Sequence, residues 1–266
     1  MYRVGFIGCG NMGGALARSA AMGLGERIAV YDPIREKTDA LAAELGCEQV
    51  SAEEIAAKAE FVVIGVKPQE IERVLTGLRH AFALNPSLVI VSMAVGVSIE
   101  ALQAYAGGEY PVVRIMPNTP CMLGEGAVLY ATKGVAPMQE KQFLFRMVGA
   151  GKFFKMDEEM MDVAGALSGC GPAYYYLFAN GLAMGAERLG LDRKTAIELA
   201  AQTMIGAGKM LQKYADPVDL KNKVCSPGGT TLAGVAALEE GNLEEVAASA
   251  VAAAYKRTLE LKNNVD

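Results

Sequence analysis

What this 266-residue chain has little of narrows its chemistry before any motif is read. It carries a single histidine, His80, and its five cysteines (Cys9, Cys47, Cys121, Cys170 and Cys225) show no C-x-x-C spacing. That argues against a His/Cys zinc centre, and an odd cysteine count does not suggest a disulfide framework. No apolar run approaches membrane-spanning length, and Met1-Tyr2-Arg3-Val4-Gly5-Phe6-Ile7 leads straight into a strand with no room for a signal peptide. Basic residues are scattered and the formal net charge is −5, so neither nucleic acid nor an anionic membrane is an expected partner. Internal repeats and low-complexity tracts are absent as well. The expectation is a reduced, cytoplasmic protein long enough for two domains. Apolar residues, by contrast, make up 52% of the chain, and that excess points to a buried subunit interface.

The first half alternates strand and helix. Arg3 to Cys9 reads as a strand, and Gly8-Cys9-Gly10-Asn11-Met12-Gly13 leads from it into a helix through Ala15-Leu16-Ala17-Arg18. G-x-G-x-x-G at a strand-to-helix junction is a dinucleotide fingerprint. In it Gly8 makes the tight turn, Gly10 admits a pyrophosphate, and Gly13 lets helix and strand pack closely. A second strand, Arg27 to Tyr31, ends at Asp32, about 20 residues past Gly13. An acid there accepts from the ribose 2′-OH and repels a 2′-phosphate, which favours NADH. Arg35 and Lys37 lie close behind and could instead hold that phosphate, or Asp32-Pro33 could merely cap the next helix. NADPH and NADH both stay open. Phe61 to Val66, Ser87 to Val91 and Val112 to Met116 continue as strands, the first with the unbroken apolar character of a strand buried on both faces. Lys67-Pro68 closes it, with Pro68 suited to a first helical position. Ligands bind beyond the carboxyl ends of such strands, a rim that would carry Lys67, Ala94, Asn118 and Thr119. A helix around Gln139 to Met147 and a strand from Lys152 to Lys155 complete a first domain of residues 1–156.

Past Asp157 the strand pattern stops, and residues 157–266 form an all-helical second domain. Glu158 to Leu167, Ala173 to Leu189, Lys194 to Tyr214 and Leu243 to Leu261 read as helices rich in small residues that permit close approach. Two Gly-Pro loops interrupt them: Leu167-Ser168-Gly169-Cys170-Gly171-Pro172-Ala173-Tyr174 and Val224-Cys225-Ser226-Pro227-Gly228-Gly229-Thr230-Thr231-Leu232. In the second, Pro227 removes a backbone donor and the glycines allow turns that other residues resist. Thr230 is expected to cap a helix that Leu232 begins, leaving free N–H groups that suit a small carboxylate. Two such loops in one helical domain point to a paired role around a ligand.

Taken together, these stretches resemble the pyrroline-5-carboxylate reductase family. The motifs are Gly8-x-Gly10-x-x-Gly13, Val66-Lys67-Pro68, Ser92 to Ser98, Arg114-Ile115-Met116-Pro117-Asn118-Thr119-Pro120, Ser168 to Tyr174, and Ser226-Pro227-Gly228-Gly229-Thr230-Thr231. They span nearly the whole chain in order. The resemblance implies an α/β Rossmann domain, doubly wound around a mostly parallel sheet, followed by an all-α dimerisation domain. It implies a homodimer whose dimers often assemble into decamers. Asn11, Met12, Lys67, Pro68, Ala94 and Asn118 would line the dinucleotide beside the glycines and Asp32. Backbone around Ser226, Gly228, Gly229 and Thr230 would hold the substrate carboxylate, and Thr231 would hydrogen-bond the ring nitrogen as the catalytic contact. Cys170 and Cys225 depart from the usual Ser and Thr of the family, and Asp32 departs from the Ser, Asn or Arg of NADPH-preferring members.

The implied reaction moves hydride from NADPH or NADH to the C=N bond of 1-pyrroline-5-carboxylate, giving L-proline. A protonated imine is already electrophilic, so orientation and electrostatics suffice, which agrees with the lack of a His or Lys acid/base pair in any motif. β-Hydroxyacid dehydrogenases need a lysine in the first long helix of the second domain, and Ala173 to Leu189 has none. An imine reductase or a silent NAD(P)-sensing protein are the other readings. Cys9, Cys121, Cys170 and Cys225 fall in or beside the ligand loops, where a helix N-terminus can activate a thiol.

Overall fold

The computed structural model describes residues 1–22 and 27–262. It divides into two compact units, Met1–Cys170 with Ala254–Asp266, and Gly171–Ala253. The sequence-based boundary after residue 156 falls earlier than this division.

The first unit is built on an eight-stranded sheet of order β3-β2-β1-β4-β5-β6-β7-β8. Its elements run β1 (Tyr2–Ile7), α1 (Asn11–Ala21), β2 (Ile28–Tyr31), α2 (Arg35–Leu45), β3 (Glu48–Gln49), α3 (Ala52–Lys58) and β4 (Ala59–Ile64). They continue with α4 (Ile71–Ala83), β5 (Val89–Ser92), α5 (Ile99–Ala106), β6 (Val112–Met116), β7 (Gly126–Lys133), α6 (Pro137–Arg146), β8 (Gly151–Lys155) and α7 (Met161–Ser168). Every strand pair is parallel except β6 with β7, which is antiparallel. The register sets Phe6 beside Val30 and Val63, and Val63 beside Val91. Successive side chains of a strand face opposite sides, so β4 feeds two cores at once. Val62 and Ile64 pack with Leu75, Phe82 and Leu102 on one side. Phe61 and Val63 pack with Phe6, Leu16 and Phe143 on the other. That double burial is why β4 reads as an unbroken apolar run.

Among the elements not visible in the sequence pattern are β7 and α10 (Pro217–Val224). β7 reverses direction after a 3-10 turn at Thr119–Leu123. α10 is opened by Asp216, whose carboxylate accepts from Val218 and Asp219 N–H at 3.0 Å each, with Pro217 at the first helical position.

In the second unit α8 (Gly171–Arg188) packs on α9 (Arg193–Tyr214), followed by α10, α11 (Thr230–Glu240) and α12 (Leu243–Lys262), whose last turns belong to the first unit. Asp192 caps α9 by accepting from Thr195 N–H at 3.0 Å. Burial here is slight: Ala183 and Ala196 are enclosed, while Leu177 is 73% exposed and Tyr176 64% exposed. Among the described residues no helix is long and apolar enough to cross a membrane.

Candidate active site and cofactor rim

The glycine-rich turn between β1 and α1 shows three different demands on three glycines. Gly8 has φ +97°, and a Cβ there would sit 2.6 Å from the Gly65 carbonyl carbon. A Cβ on Gly13 would lie 2.1 Å from the Gly8 carbonyl oxygen. These two glycines let α1, β1 and the end of β4 close on one another. Around Gly10, in contrast, an added Cβ would meet nothing within 4 Å. Gly10 is also the N-cap of α1 and offers no side-chain cap, so the first N–H groups of the helix, at Asn11, Met12 and Gly13, have no partner from a capping side chain. This is a cradle for an anion, and it fits a dinucleotide pyrophosphate.

The β4 rim adjoins it: Gly65 N–H donates to Ile7 O at 2.7 Å. Beyond Gly65, Lys67 is the exposed N-cap of a 3-10 turn (Pro68–Glu70) with Pro68 at its first position. At the end of β5, Ala94 is 3% exposed and its N–H donates to Ser92 Oγ at 3.3 Å. Ser98 accepts from Ala101 N–H at 3.1 Å and starts α5.

Asp32 and Asn118 have tasks that sequence reasoning missed. The Asp32 side chain is only 6% exposed. One oxygen accepts from Cys9 N–H at 2.8 Å, and the other accepts from Ile34 N–H at 2.9 Å and lies 3.5 Å from Lys37 Nζ. Asp32 therefore ties the glycine turn to the β2–α2 loop. Asn118 is 8% exposed, donates from Nδ2 to Ser168 O at 3.0 Å, and accepts from Ala127 N–H at 3.0 Å. Its carboxamide pins β7 and the end of α7 to the β6 rim. The Asp32 bond to Ile34 is a local turn of the kind its place before Pro33 allows, whereas nothing local signals the bonds to Cys9 and Ser168, whose partners lie 23 and 50 residues away.

Arg114, in the middle of the Arg114–Pro120 motif, is likewise structural. Its guanidinium is 3% exposed and donates to Asp162 Oδ1 at 2.9 Å and Glu158 Oε1 at 3.1 Å. Lys262 pairs with the other Asp162 oxygen. Four charges of balanced sign thus join β6, α7 and the last turn of α12.

In the second unit, Cys225 to Thr231 forms a turn in which Gly229 N–H donates to Ser226 O at 2.9 Å and Gly228 takes φ +71°. A Cβ on Gly229 would strike Ser226 Oγ at 2.5 Å. The expectation that Thr230 caps a helix starting at Leu232 is corrected here: α11 begins at Thr230, and Gly229 is its N-cap with no side-chain hydrogen bond. The glycine's extended backbone makes the cap without a side chain, so the leading N–H groups and both threonine hydroxyls stay available in an exposed loop. The rim residues Gly8, Gly10, Asn11, Met12, Gly13, Asp32, Lys67, Pro68, Ala94 and Asn118 all lie in the first unit, and Ser226 to Thr231 in the second.

Two of the four thiols in or beside the loops, Cys9 and Cys121, are buried. Cys9 is buried, donates its thiol to Tyr31 O at 3.5 Å, and is pushed up to about 12 by burial and then by the Asp32 charge. Burial also raises Cys121. Cys170 is exposed.

Residues 158–261 match the family model described as pyrroline-5-carboxylate reductase dimerisation, and residues 3–96 match that described as NADP oxidoreductase coenzyme F420-dependent. A pyrroline-5-carboxylate reductase from Pseudomonas aeruginosa is 38% identical over 97% of this chain and 96% of its own. One from Arabidopsis thaliana is 37% identical over 99% and 96%. The chain belongs to the pyrroline-5-carboxylate reductase family. The Plasmodium falciparum member, solved with NADP bound, is 32% identical with a TM-score of 0.86, covering 98% of both chains. The Coxiella burnetii structure is 33% identical with a TM-score of 0.89 over the same coverage. A Streptomyces aurantiacus imine reductase and a Mycobacterium tuberculosis 3-hydroxyisobutyrate dehydrogenase, 18% and 19% identical, share the fold alone. Family membership makes the chain an oxidoreductase that uses a nicotinamide dinucleotide, and the open cradle at Gly10 agrees with it.

Proposed function

We propose that this chain reduces 1-pyrroline-5-carboxylate to L-proline. The observation that carries the reading is the start of α11: an uncapped helix N-terminus behind a Ser-Pro-Gly-Gly turn, within a chain whose full length follows the family. The dinucleotide, when bound, supplies hydride. The protein's share is binding and orientation. Ser226, Gly228, Gly229 and Thr230 present hydroxyl and N–H donors to the substrate carboxylate, where the positive end of the α11 dipole favours negative charge. Thr231 places its hydroxyl at the ring nitrogen and orients the C=N bond; a neutral hydroxyl is a weak acid, so the proton completing the amine comes through water. In the first unit, Gly8, Gly10 and Gly13 admit the pyrophosphate to the N–H groups of Asn11 and Met12, while the Lys67-Pro68 turn, Ala94 and the Asn118 backbone border the remainder.

The exposed apolar side chains of α8 and α9, among them Tyr176, Leu177 and Ile205, support a homodimer formed through the helical unit, with decamers as a further assembly. Five free cysteines accord with a cytoplasmic setting. The test is loss of nicotinamide absorbance with NADH or NADPH and the five-membered imine, run beside the six-membered imine and a β-keto acid. Rapid turnover of the five-membered imine is expected. Turnover confined to another substrate moves the function, and cofactor binding without turnover on any of them turns the reading to a sensing protein.

A further inference from the structure

The loop from β5 to α5 carries Ala94, which the proposed binding mode sets beside the dinucleotide, and its ends are tied differently from its middle. At the front, Ala94 N–H donates to Ser92 Oγ at 3.3 Å. At the back, Ile99 N–H donates at 2.7 Å to Glu158 Oε1, which also accepts from Arg114. The turn between these anchors, Val95-Gly96, rests against the last turn of α12. Gly96 takes φ +81°, and a Cβ there would lie 3.4 Å from Lys262 Cγ and 3.7 Å from its Cα. A bare glycine thus lets the helix end seat directly on the loop. What holds that end in place is the Lys262 ammonium on Asp162, whose side chain is 3% exposed. The last turn of a helix has unpaired carbonyls and frays unless something outside the helix ties it down.

We infer that Lys262 is a positioning residue for the cofactor: tied to Asp162, it holds the end of α12 against Gly96 and so fixes the loop that borders the dinucleotide. The inference rests on the reading that places Ala94 beside that dinucleotide. The role is separable from stability. Arg114 donates to the other Asp162 oxygen at 2.9 Å, so the carboxylate stays paired when Lys262 is removed. The helix end loses its anchor, however, and a loop left free to move must be ordered again each time the dinucleotide binds. Ordering the backbone of one residue shifts an equilibrium about fivefold to thirtyfold. Binding weakens by that factor while the fold is nearly untouched.

The test uses the full chain with Lys262→Met, which keeps the apolar stem and drops the charge, and Lys262→Arg, which keeps the charge. Fluorescence titration gives the Kd for NADPH, and hydrogen–deuterium exchange with and without NADPH follows residues 93–99. Lys262→Met should exchange faster over 93–99 and raise the Kd about fivefold to thirtyfold. Its Tm should fall by no more than about 4 °C. Lys262→Arg should restore most of both. Unchanged exchange in Lys262→Met, or faster exchange with an unchanged Kd, overturns the inference. In the unsubstituted chain saturating NADPH is expected to slow exchange over 93–99. If NADPH binds and leaves that exchange unaltered, the placing of the loop at the cofactor falls as well.

Discussion

Gly10→Ala and Gly13→Ala make the same chemical change three residues apart, and the geometry assigns them opposite consequences. At Gly10 the new methyl enters open space with φ −65°, a backbone any residue adopts. Replacing glycine by alanine at an N-cap costs up to about 1 kcal/mol, and reduced freedom of the unfolded chain returns about 0.4–1 kcal/mol. The two nearly cancel, so Tm should stay within about 2 °C. The open space is, however, where the proposed binding mode brings the pyrophosphate to the N–H groups of α1. Pushing an anion off even one charge-assisted hydrogen bond, about 1.5–3 kcal/mol, raises the NADPH Kd on the order of tenfold or more. At Gly13 the methyl lands 2.1 Å from the Gly8 carbonyl oxygen, and Gly8 is itself closed against Gly65. Backbone on both sides leaves no flexible group to yield. Overpacking of this kind lies at the upper end of its range, about 3 kcal/mol, against about 1 kcal/mol gained from helix propensity. A net loss of about 2 kcal/mol lowers Tm by roughly 4–8 °C. Thermal melts and fluorescence titration with NADPH read both quantities on the same samples. If Gly10→Ala binds NADPH normally, or if Gly13→Ala melts with the unsubstituted chain, the cradle is misread.

Asp162→Asn should lower unfolding free energy by about 3–5 kcal/mol in denaturant titration, because buried Arg114 loses its best-enclosed partner. Lys262→Ala, at a side chain 33% exposed, should remove no more than about 1 kcal/mol, and equal losses for the two would refute the network's ranking. Thr231→Ala should reduce kcat/KM on the order of tenfold to a thousandfold with Tm held, since Gly229 and not a threonine caps α11; a lower Tm with kinetics retained would make Thr231 structural. Alkylation of the folded chain at about pH 8 should label Cys170 and spare Cys9, whose thiol is held near 12 by burial. Mass-spectrometric mapping that finds Cys9 labelled as fast as Cys170 would contradict the buried, Asp32-facing thiol.

Much of this protein is written in short-range pattern. The glycine turn, the apolar strands around Phe61 to Val66 and Val112 to Met116, Pro68 at its first helical position, and the Ser226 to Thr231 loop each follow from residues close together. Their physics is local: which residues permit a positive φ, which lack an N–H, which alternate or run continuously apolar. The sequence also carried the family through the order of its motifs. What it left undecided depends on residues distant along the chain. Asp32 could be a ribose acceptor or a cap by local rules, and only the fold brings Cys9 N–H to its carboxylate. Asn118 sits on the expected rim, yet its carboxamide is taken by Ala127 and Ser168. Arg114, Asp162 and Lys262 lie 48 and 100 residues apart in pairs, so no spacing could announce their ion network. β7 escaped because a reversed strand after a 3-10 turn has no helix before it to mark a crossover. Backbone grammar is settled locally, whereas the use of a charged or amide side chain is settled by whichever distant group the tertiary structure sets against it.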